Sequence, residues 1–185
     1  MEVRHLPSEA GRSARLALAL RSDMDLKSQV TADGATWLDH RLVEQRPAPI
    51  ALSGFGRVVR EAPAARKDHL IEKGFARQQG QLVLLQRNLL NTLRRRDVAE
   101  ASRKLHRETG LAYKETRSGD LVVGTYRKRV TLSPGRYAMI EGSPGFQLVP
   151  WTPALEKRLG QEVSGRVRGG GGIDWGFARK RGMEL

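Results

Sequence analysis

The chain has no cysteine among its 185 residues, few aromatic residues (5%) and no long apolar run. The absence of cysteine excludes disulfides and thiolate metal sites, and it fits a reducing compartment. No segment approaches the roughly 20 apolar residues that span a bilayer, and the N-terminus lacks the pattern of a signal peptide. The sequence therefore predicts a soluble, cytoplasmic protein.

Patterns typical of catalytic and cofactor sites are also missing. None of the histidines has a metal-ligand partner at suitable spacing on its own predicted element: His5, His40, His69 and His106. There is no Gly-x-Ser-x-Gly nucleophile motif and no pair of carboxylates at catalytic spacing. We interpret Tyr113, Tyr126 and Tyr137 as packing residues. We therefore expect no catalytic residue, metal or cofactor in this chain.

Positive charge, by contrast, is abundant. The formal net charge is +13 and the isoelectric point is about 11.0, which indicates a polyanionic partner. Nucleic acid is favoured over a membrane surface because no basic amphipathic segment carries clustered aromatic residues. Residues 57–107 alone contain thirteen Lys and Arg against five Asp and Glu. The alternative interpretation is that these cations are solvated helix faces of a basic protein.

The same region, 57–107, has the pattern of a helix, a hairpin and a second helix. The first helix is predicted over 58–73 and ends at Gly74, with regular geometry from about Ala62 because Pro63 is tolerated only in a first turn. Two short strands flank Gln79-Gly80, which is a tight-turn signal.

The second helix of this region is predicted over 87–107 from its recurring apolar residues. Upstream, Asp33 is predicted to cap a helix over 35–44. Helix, hairpin and helix in this order resemble the recognition helix and wing of winged helix-turn-helix domains.

The flanking segments have a different character. Residues 13–22 are predicted as a strand or short helix with nothing before them to pair against, and 23–32 as a polar connector. After residue 110 the pattern becomes β-rich: a strand over 121–132 with Val123, Thr125, Arg127 and Arg129 on one face, a hairpin around 142–145, a short helix from Pro153 and a strand over 161–167. The glycine run 169–172 predicts a flexible linker before a basic tail.

Several motifs resemble the C-terminal region of conjugative relaxase/mobilisation nucleases. The matching segments are Ser28 to Asp39, Asp68 to Ile71 with Gly74, Ala76-Arg77, Gln79 to Gln81, Leu90 to Arg96, Gly124 to Arg127, Ser133 to Ile140, Gly145 to Trp151, Leu159-Gly160, Val163 to Gly165, Asp174-Trp175 and Arg179 to Gly182. In such proteins a preceding domain nicks DNA with a tyrosine beside a histidine-bound metal. No segment of this chain matches that domain, so the resemblance implies no catalytic residue here.

The resemblance also implies an interpretation of the N-terminus. Residues 15–22 look like the last strand of a preceding domain, so the chain is expected to be a truncated gene product or a separately encoded C-terminal part.

The sequence thus predicts an α+β protein: a winged-helix-like helical module followed by a small antiparallel β-sheet or barrel module. The predicted divisions are a remnant strand (1–22), the basic helical module (23–110), the β-rich module (111–168) and a Gly-rich linker with a basic tail (169–185). The expected function is that of a non-catalytic accessory part of a conjugative relaxase, and not of an enzyme. It would hold transfer-origin DNA, single- or double-stranded, with the wing entering a groove.

The predicted phosphate-binding residues are Arg77, Arg87, Arg94, Arg95, Arg96, Arg103, Lys104, Arg127 and Arg129. The alternative function is a protein-interaction module that relaxosome or type IV secretion coupling proteins recognise through its basic C-terminal tail. The residues that would suit this role lie around the glycine run: Arg166, Arg168, Arg179, Lys180 and Arg181.

Overall fold

The computed structural model describes residues 2–5, 16–19, 24–46 and 55–176, and it confirms a mixed α+β protein. Its contacts divide the chain into two units, Met1–Asp97 and Val98–Leu185. The division falls within a long helix rather than after residue 110. No helix in the described ranges is long and apolar enough to cross a membrane.

The first unit contains helices, a hairpin and a pair of short N-terminal strands. Its elements are β1 (Glu2–His5), β2 (Leu16–Ala19), α1 (Leu26–Thr31), α2 (Trp37–Val43), α3 (Phe55–Glu72), β3 (Ala76–Gln79), β4 (Leu82–Leu85) and the start of α4 (Leu89–Thr109). β1 and β2 pair antiparallel. The expectation that 13–22 has nothing before it to pair against was therefore wrong.

Two short helices precede α3, and the sequence predicted only one of them. α1 begins because the Asp25 carboxylate accepts a hydrogen bond from the Ser28 N–H at 2.8 Å, so the predicted polar connector is partly helical. α2 is capped by Thr36 instead of Asp33. Thr36 and Asp39 form a capping box in which the Thr36 N–H donates to Asp39 Oδ2 at 2.7 Å.

Helix α3 runs through Pro63 from Phe55, so the predicted start near Ala62 was wrong. Proline removes one N–H and usually breaks a helix interior. Here Val59, Ala62, Arg66 and Leu70 recur every three or four residues and are buried on one side of the helix. We attribute the continuity of the helix to the packing of this stripe, which outweighs the lost hydrogen bond.

Arg66 joins α3 to the segments before it. Its side chain is fully buried and binds both oxygens of buried Asp39, each at 2.9 Å. The remaining N–H groups donate to the carbonyls of Val30 (3.0 Å), Ala32 (2.6 Å) and Gly34 (3.0 Å). All five guanidinium donors are therefore used, which fixes α2 and the α1–α2 connection against α3.

The hairpin forms where the sequence predicted it, with the turn one residue later. Gly74 ends the α3 region at φ +76°, and Gly80 takes φ +59° at the first central position of the β3–β4 turn, as a type II′ turn requires. Phe75, Leu89 and Leu93 are buried with Leu70 and Ala35 in the core of this unit.

The second unit is built on one six-stranded sheet. Its strands are β5 (Ala112–Tyr113), β6 (Leu121–Leu132), β7 (Gly135–Gly142), β8 (Gly145–Pro150), β9 (Glu162–Val167) and β10 (Ile173–Gly176), in the order β10-β9-β6-β7-β8-β5. Only the β5–β8 pairing is parallel. A 3-10 helix, Pro153–Arg158, follows β8. The predicted hairpin around 142–145 and strand 121–132 are confirmed.

Both faces of this sheet are apolar. One face packs Tyr137 and Met139 against Leu105 of α4, and the other carries Ala138 and Ile140 with Leu155. The two faces alternate along β7 as the pleat requires.

A β-bulge at Arg127 changes which face the end of β6 presents. Tyr126 pairs with Ile140, whereas Lys128 pairs with Met139, so Arg127 is an extra residue. After the bulge, the side chains of β6 point to the opposite faces of the sheet from those expected by simple alternation. Thr125, before the bulge, lies on the same face as its partner Glu141. Arg129, after the bulge, lies on the other face with its partner Ala138. The prediction that Val123, Thr125, Arg127 and Arg129 share one face was wrong, because one inserted residue inverts every later position.

The glycine run is a turn rather than a flexible linker. The N–H of Arg168 donates to the Gly172 carbonyl at 2.8 Å, and β10 returns antiparallel to β9. Residues 173–176, predicted as part of the tail, are therefore a strand of the sheet.

Candidate nucleic-acid interface

The first unit carries a basic surface on β3, β4 and the first half of α4, which we call the hairpin–helix surface. The hairpin is held by Ala76 and Leu85, which pack inward against the core of Leu70, Phe75, Leu89 and Leu93. Alternation along the two strands then turns Arg77, Gln79, Leu82 and Leu84 outward. Local folding thus fixes which residues solvent reaches.

Five of the predicted phosphate-binding residues lie on this surface and are exposed: Arg77, Arg87, Arg94, Arg95 and Arg96. Arg77 is on β3 opposite Leu84, and Arg87 is in the turn before α4. The Arg94 Nη2 donates to Asn91 Oδ1 at 3.2 Å, one turn earlier on the same helix face. The Arg96 guanidinium lies 4.9 Å from the centre of the Phe75 ring, a cation–π contact that orients it.

The segment of sequence that carries these five arginines contains no carboxylate. Between Glu72 and Asp97 the sequence contains no Asp or Glu but five exposed arginines. Lys73, which also lies in this segment, is ion-paired with Asp33 at 3.4 Å. Amide side chains occupy most of the remaining polar positions, among them Gln79 and Asn91. A segment with several exposed arginines and no carboxylate of its own attracts phosphate.

The exposed charged residues of helix α3 that the structure describes are acidic rather than basic. Its exposed charged residues are Glu61, Asp68 and Glu72, whereas Arg66 is buried against Asp39. Lys67 is half-buried. Carboxylates on this side would repel a phosphate backbone, which disfavours the described part of α3 as a phosphate-binding surface.

The other four predicted residues belong to the second unit, and three of them are ion-paired. Arg103 binds Glu100 at 2.9 Å, and Arg129 lies 3.8 Å from Glu156 and stacks on Trp151 at 5.5 Å. Arg127 binds Glu141 at 2.7 Å. This hydrogen bond lowers the pKa of the Glu141 carboxyl and raises that of Arg127.

Lys104, by contrast, is exposed and has no ion pair or hydrogen bond with any residue in the described ranges. The three ion-paired arginines must exchange a carboxylate for a phosphate if they bind DNA.

The predicted tail residues Arg179, Lys180 and Arg181 lie outside the described residues. The expectation that the tail binds a partner therefore stays a prediction.

Groups suited to chemistry are sparse in the described part of the chain. No group of three or more His, Asp or Glu there is arranged to hold a metal ion. Burial, with a smaller contribution from Glu115, raises the pKa of Tyr113 to about 12. An attacking tyrosine needs the opposite shift, toward an ionised phenolate.

The chain matches one protein family over almost its whole length. Residues 2–184 match a family described as a protein of unknown function, DUF3363. The chain belongs to this family. Comparison with curated proteins and with solved structures gives no significant match. The family's description names no activity.

Sequence reasoning missed two features of this DUF3363 chain. One is the Arg66–Asp39 pair, whose members are 27 positions apart and carry no pattern that links them. The other is the exposure of Leu82, 69% accessible on the hairpin. The strand period could have suggested the second, because Leu82 alternates with half-buried Val83.

Proposed function

We propose that this protein is a DNA-binding, non-catalytic accessory part of a conjugative relaxase, acting in the cytoplasm. The link to relaxases rests on the resemblance of the sequence motifs. The DNA-binding part rests on one observation: five exposed arginines on the hairpin–helix surface, in a stretch without a carboxylate. Each phosphate bound there would release condensed counterions, which favours binding in a salt-dependent manner.

The proposal includes a winged-helix-like arrangement in which the hairpin and α4, rather than α3, contact the DNA. The order α2, α3, β3–β4 hairpin and α4 follows that of helix, recognition helix, wing and helix. The exposed carboxylates of α3 argue against α3 as the phosphate-binding element. In this proposal the hairpin and α4 approach the DNA, with Arg87, Arg94 and Arg95 on phosphates.

The test compares two triple variants that remove the same charge. Arg87→Ala, Arg94→Ala and Arg95→Ala together should weaken binding to duplex and single-stranded oligonucleotides by about tenfold or more at moderate salt, since each lost contact removes a counterion-release term. Fluorescence anisotropy measures the affinity. The matched control removes three exposed cations of the second unit, Lys114, Arg117 and Lys157.

We expect the control to retain most of the affinity. Equal losses in the two variants would mean that total charge, and not the hairpin–helix surface, governs binding. No salt-sensitive binding by the unmodified protein would end the proposal.

The alternative function, recognition of a basic tail by a secretion or coupling protein, has less support from the structure. Arg168 and Asp174 are paired across the β9–β10 turn, and Arg166 donates to the Gly119 carbonyl at 3.1 Å. These two arginines are thus engaged within the sheet. The alternative now depends on Arg179, Lys180 and Arg181 alone.

A further inference from the structure

The outward side of the β3–β4 hairpin has a composition that folding does not explain. Its four residues are Arg77, Gln79, Leu82 and Leu84, which we call the hairpin outer face. Arg77 pairs with Leu84 and Gln79 with Leu82, while the inward pairs Ala76–Leu85 and Gln78–Val83 alternate with them. All four outer residues are exposed, whereas Ala76 and Leu85 pack on the core.

Two neighbouring leucines on this face are open to solvent. Leu82 is 69% and Leu84 36% accessible, and they stand two residues apart on the same strand. A single exposed leucine is ordinary, but a pair framed by polar side chains is typical of a contact surface. No described residue of the chain covers them.

The residues around Leu82 and Leu84 indicate what kind of partner could bind this face. The face lies in the carboxylate-free stretch between Glu72 and Asp97, next to Arg77 and Arg87. The side-chain amide of Gln78 donates to the Gly80 carbonyl at 2.6 Å, whereas the side-chain amide of Gln79 has no hydrogen bond to a described residue. A partner that satisfies this face must be anionic and must offer both apolar contact and amide-type hydrogen bonds.

The major groove of duplex DNA has these properties. It is about 12 Å wide and admits a two-stranded β-ribbon, whereas the minor groove is only about 6 Å wide. The thymine C5 methyl is the apolar group on its floor, and adenine N6 and N7 bond an Asn or Gln amide in bidentate fashion. An A·T pair therefore offers both groups that the outer face can bind.

We infer that the hairpin outer face enters the major groove and reads A·T pairs, with Leu82 on a thymine methyl and Gln79 on an adenine edge. Arg77 and Arg87 hold the flanking phosphates. This inference rests on the proposed DNA binding and adds base recognition to it.

The test removes the apolar group from each side of the contact in turn: the C5 methyl from thymine, and the isopropyl group from Leu82. Duplexes of alternating A and T are compared with duplexes of alternating A and deoxyuridine, which differ only in the thymine methyl, so no particular binding site need be known. The unmodified protein should bind the thymine duplex about four- to tenfold more tightly, given the free energy of burying such groups. Leu82→Ala should lower affinity for the thymine duplex to that for the uracil duplex and leave the latter unchanged.

Leu159→Ala is the matched control, because Leu159 is similarly exposed (61%) but lies in the second unit. It should preserve the preference for thymine. Circular dichroism checks that both variants keep the fold, which is expected because both side chains are in solvent.

Other results overturn the inference in distinguishable ways. Equal binding of the two duplexes, with normal salt dependence, would refute base recognition and leave phosphate binding intact. No binding of any duplex would refute the proposed function itself. A change in molar mass by light scattering, or loss of binding to phosphatidylserine vesicles in Leu82→Ala, would assign the face to a second copy or to a membrane.

Discussion

Arg66 shows how much a single residue determines in the first unit. In the sequence Arg66 is one of several cations of a basic helix, yet in the structure it is buried and its charge is balanced by Asp39. Three of its five donors bind the carbonyls of Val30, Ala32 and Gly34, which holds the α1–α2 connection against α3. No local pattern separates Arg66 from an exposed arginine such as Arg94, because burial depends on what packs over the residue.

We predict that Arg66→Met lowers the free energy of unfolding by about 3–5 kcal/mol, because it leaves the Asp39 carboxylate buried without its partner. Urea denaturation measures the change. The control is Lys73→Met, which breaks a largely exposed pair with Asp33 at 3.4 Å and should cost about 1 kcal/mol or less. Similar losses in the two variants would show that the Arg66–Asp39 pair has no special role.

At the scale of secondary-structure elements, the sequence predicted whether a segment is a helix or a strand better than it predicted how the strands pair. The bounds of β6 were predicted correctly from its run of Val, Tyr and Thr, and the hairpin from its Gly80 turn. The bulge at Arg127 could not be predicted, because it exists only in the pairing with β7. β10 was missed because the alternation of Ile173, Asp174, Trp175 and Gly176 is too short to predict a strand after a glycine run, and its pairing partner β9 is visible only in the structure.

The β9–β10 hairpin provides a prediction on pH. The hydrogen bond from Arg168 holds the pKa of Asp174 below the ordinary value of 3.8. A carboxyl with a lowered pKa in the folded state stabilises it above the ordinary pKa, and this contribution is lost as pH falls through the lowered value. NMR titration should show Asp174 ionising below 3.8, and Arg168→Gln should move its pKa back toward that value. An unchanged pKa in the variant would exclude the ion pair as the cause.

At the scale of the whole molecule, the net charge of +13 predicts attraction to polyanions but not where they bind. The nine predicted phosphate-binding residues are spread over both units, five on the hairpin–helix surface and four in the second unit. The first five lie where carboxylates are missing, whereas Arg103, Arg127 and Arg129 are paired with acids.

The salt dependence of DNA binding distinguishes these sets. Five phosphate contacts predict a slope of log affinity against log salt of about −4.5, and nine contacts a slope of about −8 on a duplex. We expect the smaller slope. Anisotropy titrations at several salt concentrations measure it, and a slope near −8 would show that the cations of the second unit also contact DNA.

The sequence by itself determined the α+β composition, the hairpin, the long strand β6 and the basic character of residues 57–107. These features depend on local periodicity, turn residues and charge, which act between close neighbours along the chain. Only the tertiary structure decided that Arg66 is buried, that Arg129 faces away from Thr125, and that Arg127 is ion-paired. It also decided that Leu82 and Leu84 remain exposed. Burial, pairing register and ion-pair partners depend on residues distant in sequence, and no local pattern encodes them.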